Sequence, residues 1–295
     1  MHMKEIVHKP VLLDEVIQYL NPTEKEHFID GTVGQGGHAE AILQMILPGG
    51  RLLGIDRDAA NLKIAKKRLK PFGDPVVLVR DSYINTKTLA YAHGFSRVDG
   101  ILLDLGFSSA HIEAADRGFS FQAEGPLDMR YDQTQDLTAE EIIRTWSTKD
   151  LTTIFRRYGE ERRAGQIAEA IVKERKHNEI LTTVQLAELV ASVIPRRGKI
   201  HPATKVFQAL RIAVNDELGQ LESVLPDLVD LLVPGGRLAV ISFHSLEDRI
   251  VKKFFHAQNG KTLSIKNKRV VTATQEEIKR NPRARSAKLR VAEKL

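Results

Sequence analysis

Apolar positions fall into short unbroken runs, separated by stretches in which they recur every three to four residues. Phe28-Ile29, Leu52-Leu53, Val76-Val77-Leu78-Val79 and Ile101-Leu102-Leu103 are such runs. Each is short and bounded by turn residues, the pattern of a strand buried on both faces of a parallel sheet. Between them Ala39, Ala41, Ile42, Met45 and Ile46 keep roughly helical spacing, and residues 59–69 and 85–93 also read as helices, the last closed by Gly94. Residues 8–20 read as an extended start and a short helix that Asn21-Pro22 ends. Strand and helix alternate, which predicts an α/β fold on a mostly parallel sheet.

The alternation stops near residue 110. Arg117-Gly118-Phe119-Ser120-Phe121 and Gly125-Pro126-Leu127-Asp128-Met129-Arg130 are loop-like. A helix start follows, with Thr138 as N-cap and Glu141 three residues on. Further helices are expected at 149–158, 160–176 and 182–193, before the basic break Pro195-Arg196-Arg197-Gly198-Lys199. One or two helices then span 203–232, interrupted near Pro226. Pro234-Gly235-Gly236 turns into a fifth strand at 237–243, and Ser245 with Asp248 fits a capping box for a helix at 246–257. A short strand at 262–266, a basic loop and a final strand at 287–292 follow, the last alternating as in an antiparallel edge pair. The expected organisation is a discontinuous domain, 1–109 with 206–295, carrying an inserted helical subdomain at 110–205 after the fourth strand.

The candidate chemistry sits at the strand ends. Asp30-Gly31-Thr32-Val33-Gly34-Gln35-Gly36-Gly37-His38 joins the first strand to its helix. Glycines admit positive φ and close approach of a ligand, so strand, loop and helix start can form a nucleotide crevice. The loop is not a strict G-x-G-x-x-G, because Ala39 stands at its last position. A plain structural turn reads equally well on the loop alone. Asp56 ends the second strand 20 residues after Gly36, where a carboxylate meets a ribose diol. Asp104 ends the fourth strand and points toward the same crevice. Tyr83 can stack on an adenine or simply pack in the core.

Composition narrows the class. The 295 residues give ample core for one large domain or two. No apolar run reaches 18 residues, so no membrane span is expected, and the N-terminus lacks the apolar stretch of a signal peptide. There is no cysteine, which removes disulfides, thiolate metal sites and a cysteine nucleophile and fits the cytoplasm. The net charge of +6 is uneven: residues 261–290 sum to +8 and the remainder to −2. A basic segment on a near-neutral body fits a polyanion such as RNA, and equally a solvated face.

The order of elements resembles the class I S-adenosylmethionine-dependent methyltransferases, with a Rossmann-like sheet. More closely the chain resembles the RsmH (MraW) family, nearly end to end. The resemblance rests on His8-Lys9-Pro10-Val11-Leu12-Leu13, the loop from Asp30 to His38, Asp99-Gly100-Ile101-Leu102-Leu103-Asp104-Leu105-Gly106 and Tyr158-Gly159-Glu160-Glu161. It also rests on His201-Pro202-Ala203-Thr204, Phe207-Gln208-Ala209-Leu210-Arg211-Ile212, Ser242-Phe243-His244-Ser245-Leu246-Glu247-Asp248-Arg249 and Asn281-Pro282-Arg283-Ala284-Arg285-Ser286. It implies methylation of the N4 amino group of a cytidine in the decoding region of small-subunit (16S) ribosomal RNA, with S-adenosylmethionine as cofactor and no metal. The cofactor contacts it implies are Gly36, Gly37, His38, Asp56, Tyr83 and Asp104, and position 111, usually Gln in the family, which is His111 here. An imidazole also donates and accepts, but it can charge near neutral pH.

Methyl transfer needs the acceptor nitrogen held in line with the methyl–sulfur bond. The cytosine amino lone pair is delocalised into the ring, so an acceptor on N4–H would redirect it. Asp104-Leu105-Gly106-Phe107 stands where many amino methyltransferases carry Asp/Asn-Pro-Pro-Tyr; Asp104 is therefore the candidate catalytic residue, it or a neighbouring backbone carbonyl accepting from N4–H, with Phe107 near the base. The target base is expected unstacked. Arg130, Arg196, Arg197, Lys199, Arg283 and Arg285 are candidate phosphate contacts; singly, each reads as readily as a surface charge. Asp128 serves the site or pairs with Arg130, and His201 and His244 touch substrate or are structural. The expected partner is small-subunit RNA, within the small subunit; a homodimer is left open. A nicotinamide-dependent oxidoreductase would share the glycine loop, and a non-catalytic RNA-binding protein the basic tail. Neither accounts for the loop, the insert and the tail together. DNA or protein remains open as an acceptor.

Overall fold

Adjacent apolar residues in the strands serve opposite faces of one sheet. The computed structural model describes residues 10–106, 115–194 and 201–295. Two compact units emerge, residues 1–108 with 218–295 and residues 109–217.

The first unit opens with α1 (Leu13–Leu20), closed by Asn21 in the left-handed region. Then come β1 (His27–Asp30), α2 (Gly37–Ile46), β2 (Arg51–Asp56), α3 (Ala59–Leu69), β3 (Val76–Arg80), α4 (Thr86–Ala92) and β4 (Val98–Asp104). The second unit holds α5 (Ala139–Thr145), α6 (Thr148–Arg157), α7 (Ala164–Glu174), α8 (Thr183–Val193) and α9 (Thr204–Asn215). The chain returns through α10 (Glu217–Leu231), β5 (Leu232–Ser242), α11 (Ser245–Gln258), β6 (Leu263–Ile265), α12 (Gln275–Arg280) and β7 (Lys288–Lys294).

The seven strands lie in the order β3-β2-β1-β4-β5-β7-β6. β1 to β5 pair in parallel, and β7 runs antiparallel to both β5 and β6. The expected mostly parallel sheet with an antiparallel last strand is thus present. Phe28, Leu52 and Leu102 enter one buried cluster with Ile42 and Leu289. Their neighbours Ile29, Leu53 and Leu103 enter the other, with Leu225 and Phe255. This period of two, with both faces covered, is why the runs read as continuously apolar. The order reverses between β1 and β4, so their carboxyl ends open a crevice.

Three local expectations change. The break in the 203–232 helical stretch falls at Asp216, in the left-handed region at φ 47°, and not at Pro226. Pro226 lies inside α10 on its exposed side, where Glu222, four residues back, is also exposed and water can serve its carbonyl. The cap of α11 is His244 with Glu247, not Ser245 with Asp248. Asp248 is taken by Arg290 at 2.7 Å and by Lys288 at 3.5 Å. The expected basic loop contains α12, where Thr274 Oγ1 accepts the Glu277 N–H and Glu277 accepts the Leu12 N–H at 2.8 Å.

In the second unit Thr138 Oγ1 accepts the Glu141 N–H, and Thr182 with Gln185 forms a full capping box. Its core joins Ile142, Leu151, Phe155, Ile167, Ile171, Leu186 and Val190 with Val206, Phe207 and Leu210 of α9. That apolar face carries residues 206–217 into the helical unit, although the sequence assigns 206 onward to the other domain. The interior of each unit is its own.

Candidate cofactor and active site

The carboxyl ends of β1, β2 and β4 each carry an aspartate, and the glycine loop runs among them. Asp30 is 1% exposed, and its Oδ1 accepts the Thr32 N–H at 3.2 Å. Burial, opposed by that bond and reinforced by Asp104 and Asp56, pushes its carboxyl up to about 8. Gly31 approaches β4 so closely that a Cβ there would lie 2.6 Å from Leu103 Cδ2. Gly34 and Gly36 hold φ of 52° and 81°, which L side chains rarely adopt. The Gly36 N–H closes a turn onto the Val33 carbonyl, and α2 begins at Gly37.

Asp56 organises this loop from the side. Its Oδ2 accepts the Gly34 N–H at 2.9 Å and the Asn61 amide at 3.3 Å, and its Oδ1 accepts the Asp58 N–H at 2.7 Å. The carboxylate is only partly buried. Tyr83 follows β3 in a short helical turn, its ring 5.8 Å from the Arg57 guanidinium.

Asp104 is fixed through its backbone, whose N–H donates to Thr32 Oγ1 at 2.6 Å. Its Oδ1 is buried without a hydrogen-bond partner. Its Oδ2 lies 3.8 Å from His38 Nδ1, beyond hydrogen-bond length. Burial, and then the charge of Glu247, pushes the Asp104 carboxyl up to about 7. His38 is 6% exposed, and its Nε2 faces the Val11 carbonyl at 2.9 Å, so Nε2 carries the proton. Glu247 is 2% exposed and accepts the Phe243 N–H at 2.8 Å.

The first unit therefore gathers Gly36, Gly37, His38, Asp56, Tyr83 and Asp104 around one crevice. Asp30, Thr32 and Glu247 belong with them but carry no role in the sequence analysis. Asp30 had a readable signal, a carboxylate at a strand end directly before glycine; Glu247 had none, since its approach to Asp104 is tertiary. Within the helical unit Arg130 makes a two-pronged pair with Asp128 at 2.7 and 2.9 Å and donates to the Gln135 carbonyl. Burial would raise the Asp128 carboxyl, but Arg130 overrides it and holds it below the usual range. His201 packs against Phe121, the rings tilted with centroids 4.8 Å apart, and accepts the Ala203 N–H, and His244 caps α11, so both have structural work. Arg283 and Arg285 lie in the short turn before β7, with Arg285 exposed. Phe107, His111, Arg196, Arg197 and Lys199 lie outside the described residues.

An acidic crevice with a glycine loop suits a cofactor that is cationic near its reactive end. S-adenosylmethionine carries a sulfonium and an ammonium, and the partnerless buried Oδ1 of Asp104 is a ready acceptor for such a group. Asp56, a partly buried carboxylate at the end of β2, suits a ribose diol. The strand order and this crevice define a Rossmann-like methyltransferase. A candidate rRNA methylase from Clostridium thermocellum shares the fold, with a TM-score of 0.50 and 13% identity over 98% of this chain and 100% of that one. The model of the MraW methylase family matches residues 5–295, and the chain belongs to that family. Ribosomal RNA small subunit methyltransferase H of Dictyoglomus thermophilum is 48% identical, covering 98% of this chain and 97% of that protein. The protein of the same name from Dehalococcoides mccartyi is 46% identical over 99% of this chain and 88% of that one. Among the described residues no helix is long and apolar enough to cross a membrane.

Proposed function

We propose that this protein transfers the methyl group of S-adenosylmethionine to N4 of a cytidine in small-subunit ribosomal RNA. The observation that carries the reading is full-length membership of the MraW methylase family, in a chain whose crevice gathers Asp30, Asp56 and Asp104 around the glycine loop. The bound sulfonium supplies an electrophilic methyl group. Gly36 and Gly37 form the turn that brings the loop backbone to the cofactor, Asp56 takes its ribose hydroxyls, and Tyr83 borders its adenine. His38, anchored on Val11, fixes one wall beside Asp104. Asp104 accepts from N4–H, so that the nitrogen lone pair turns out of the ring and toward the methyl group. Its raised pKa suits a group that takes up a proton near neutrality. The 110–205 stretch and the basic tail serve RNA recognition, and Phe107, His111, Arg196, Arg197 and Lys199 are assigned to the site on family resemblance. Such a substrate places the protein in the cytoplasm.

A nicotinamide dinucleotide fits less well. Its pyrophosphate offers no cationic group to the partnerless Oδ1 of Asp104, and whatever fraction of Asp30 and Asp104 is ionised would repel it. The test is methyl transfer from radiolabelled S-adenosylmethionine to naked small-subunit RNA and to small subunits, both from cells lacking this protein, with nucleoside analysis of the product. Label in N4-methylcytidine derivatives is the expected result. Cofactor binding without label on either substrate would move the acceptor elsewhere.

A further inference from the structure

Four arginines flank the Tyr158-Gly159-Glu160-Glu161 stretch that links α6 to α7, and the catalytic crevice uses none of them. Arg156, Arg162 and Arg163, with Gly165, Gln166 and Glu169, line an open cleft of about 430 Å³ on the helical unit. All three arginines are exposed and make no ion pair among the described residues. The fourth, Arg157, lies over the Tyr158 ring at 5.6 Å. The backbone of the linker is held: the Glu161 N–H donates to the Phe155 carbonyl and the Arg163 N–H to Glu161 Oε1. α7 starts beside the cleft with Arg163 at its N-cap position and no side chain capping its first N–H groups. Glu169 is the one carboxylate on the wall.

Three forked donors and a positive helix end converging on one open cleft are the chemistry of phosphodiester recognition. An open cleft of this size has room for a phosphate and its sugar. We infer that the cleft lined by Arg156, Arg162 and Arg163 is a phosphate-backbone subsite for the RNA substrate, setting its register on the helical unit without reading sequence. This rests on the proposed RNA methylation and adds a site to it.

The experiment compares wild type with the triple variant Arg156→Gln, Arg162→Gln, Arg163→Gln. A control variant, Lys63→Gln, Lys66→Gln, Lys70→Gln, removes the same charge from two exposed positions of α3 and from the exposed residue that follows it. KM for small-subunit RNA, kcat, S-adenosylmethionine affinity and the salt dependence of RNA binding are measured for each. The triple variant should raise the RNA KM about 10-fold and lower the salt slope by about 2 to 3, roughly one per lost contact, with cofactor affinity unchanged. The control should shift both far less. Unchanged RNA KM and slope in the triple variant, or an equal loss in the control, would overturn the subsite. Wild type that binds RNA but never methylates it would instead overturn the proposed reaction.

Discussion

Two aspartates, Asp30 buried and Asp104 half-buried, give this crevice its chemistry, and their titration can be read from outside. Asp30 moves from an ordinary value of 3.8 to about 8, and Asp104 from 3.8 to about 7, both chiefly through burial. An acid whose pKa is raised on folding keeps its proton in the folded chain where the unfolded chain has released it. Stability is therefore unaffected by these groups below about pH 4 and falls as pH climbs toward 7 and 8. Asp30→Asn, which keeps an acceptor for the Thr32 N–H, should remove part of that loss. We expect the variant to match wild type near pH 4 and to exceed it by on the order of 1 kcal/mol or more at pH 8. Urea melts of the two proteins from pH 4 to 9 measure this, and parallel curves would show that Asp30 is not the titrating group. Asp104→Asn tests chemistry instead. If Asp104 accepts from N4–H, turnover at saturating cofactor should fall about 10²-fold. Full turnover would remove Asp104 from that role.

Strand, loop and helix are the scale at which the sequence was most informative. Phe28-Ile29 and Leu102-Leu103 announce strands because a doubly covered sheet leaves no polar alternation. Asp56 and Asp104 stand out in the sequence because each closes a predicted strand, and strand ends face the crevice. What stayed hidden depends on distant pairing. Asp248 fits a capping box until β7 brings Arg290 to it, and His244 then takes the cap with Glu247. α12 is too short and too charged to signal itself, and is fixed by the Leu12 N–H, which donates to Glu277 from 265 positions away. The glycine loop gives the test at this scale. At Gly36, φ is 81° and a Cβ would come 3.3 Å from Leu69 Cγ. Gly36→Ala should cost about 1 kcal/mol or more in stability, since the left-handed strain adds to the contact. S-adenosylmethionine affinity should drop at least several-fold, because this turn sets where α2 begins. Calorimetric titration of the folded variant checks it; unaltered affinity would separate the turn from cofactor binding.

At the scale of the whole molecule the chain holds two interiors. The clusters around the sheet draw only on residues of the first unit, and the helical cluster runs from Leu127 to Val214. Cooperative unfolding follows shared buried contacts, so two interiors predict two transitions on heating. The glycine loop, Asp56 and Asp104 all belong to the first unit. A ligand that binds only the folded form raises stability by RT ln(1 + [L]/Kd), about 2.7 kcal/mol at a hundredfold excess over Kd. S-adenosylmethionine should therefore move the transition of the sheet unit upward by several degrees and leave that of the helical unit in place. Differential scanning calorimetry gives the two midpoints, and hydrogen exchange assigns them. Protection should rise in β1, β2 and β4 and stay constant in α6 to α8. A single transition that shifts as a whole would mean that the helical unit takes part in cofactor binding, and the RNA-reading role proposed for it would then have to be joined to the chemistry of the crevice.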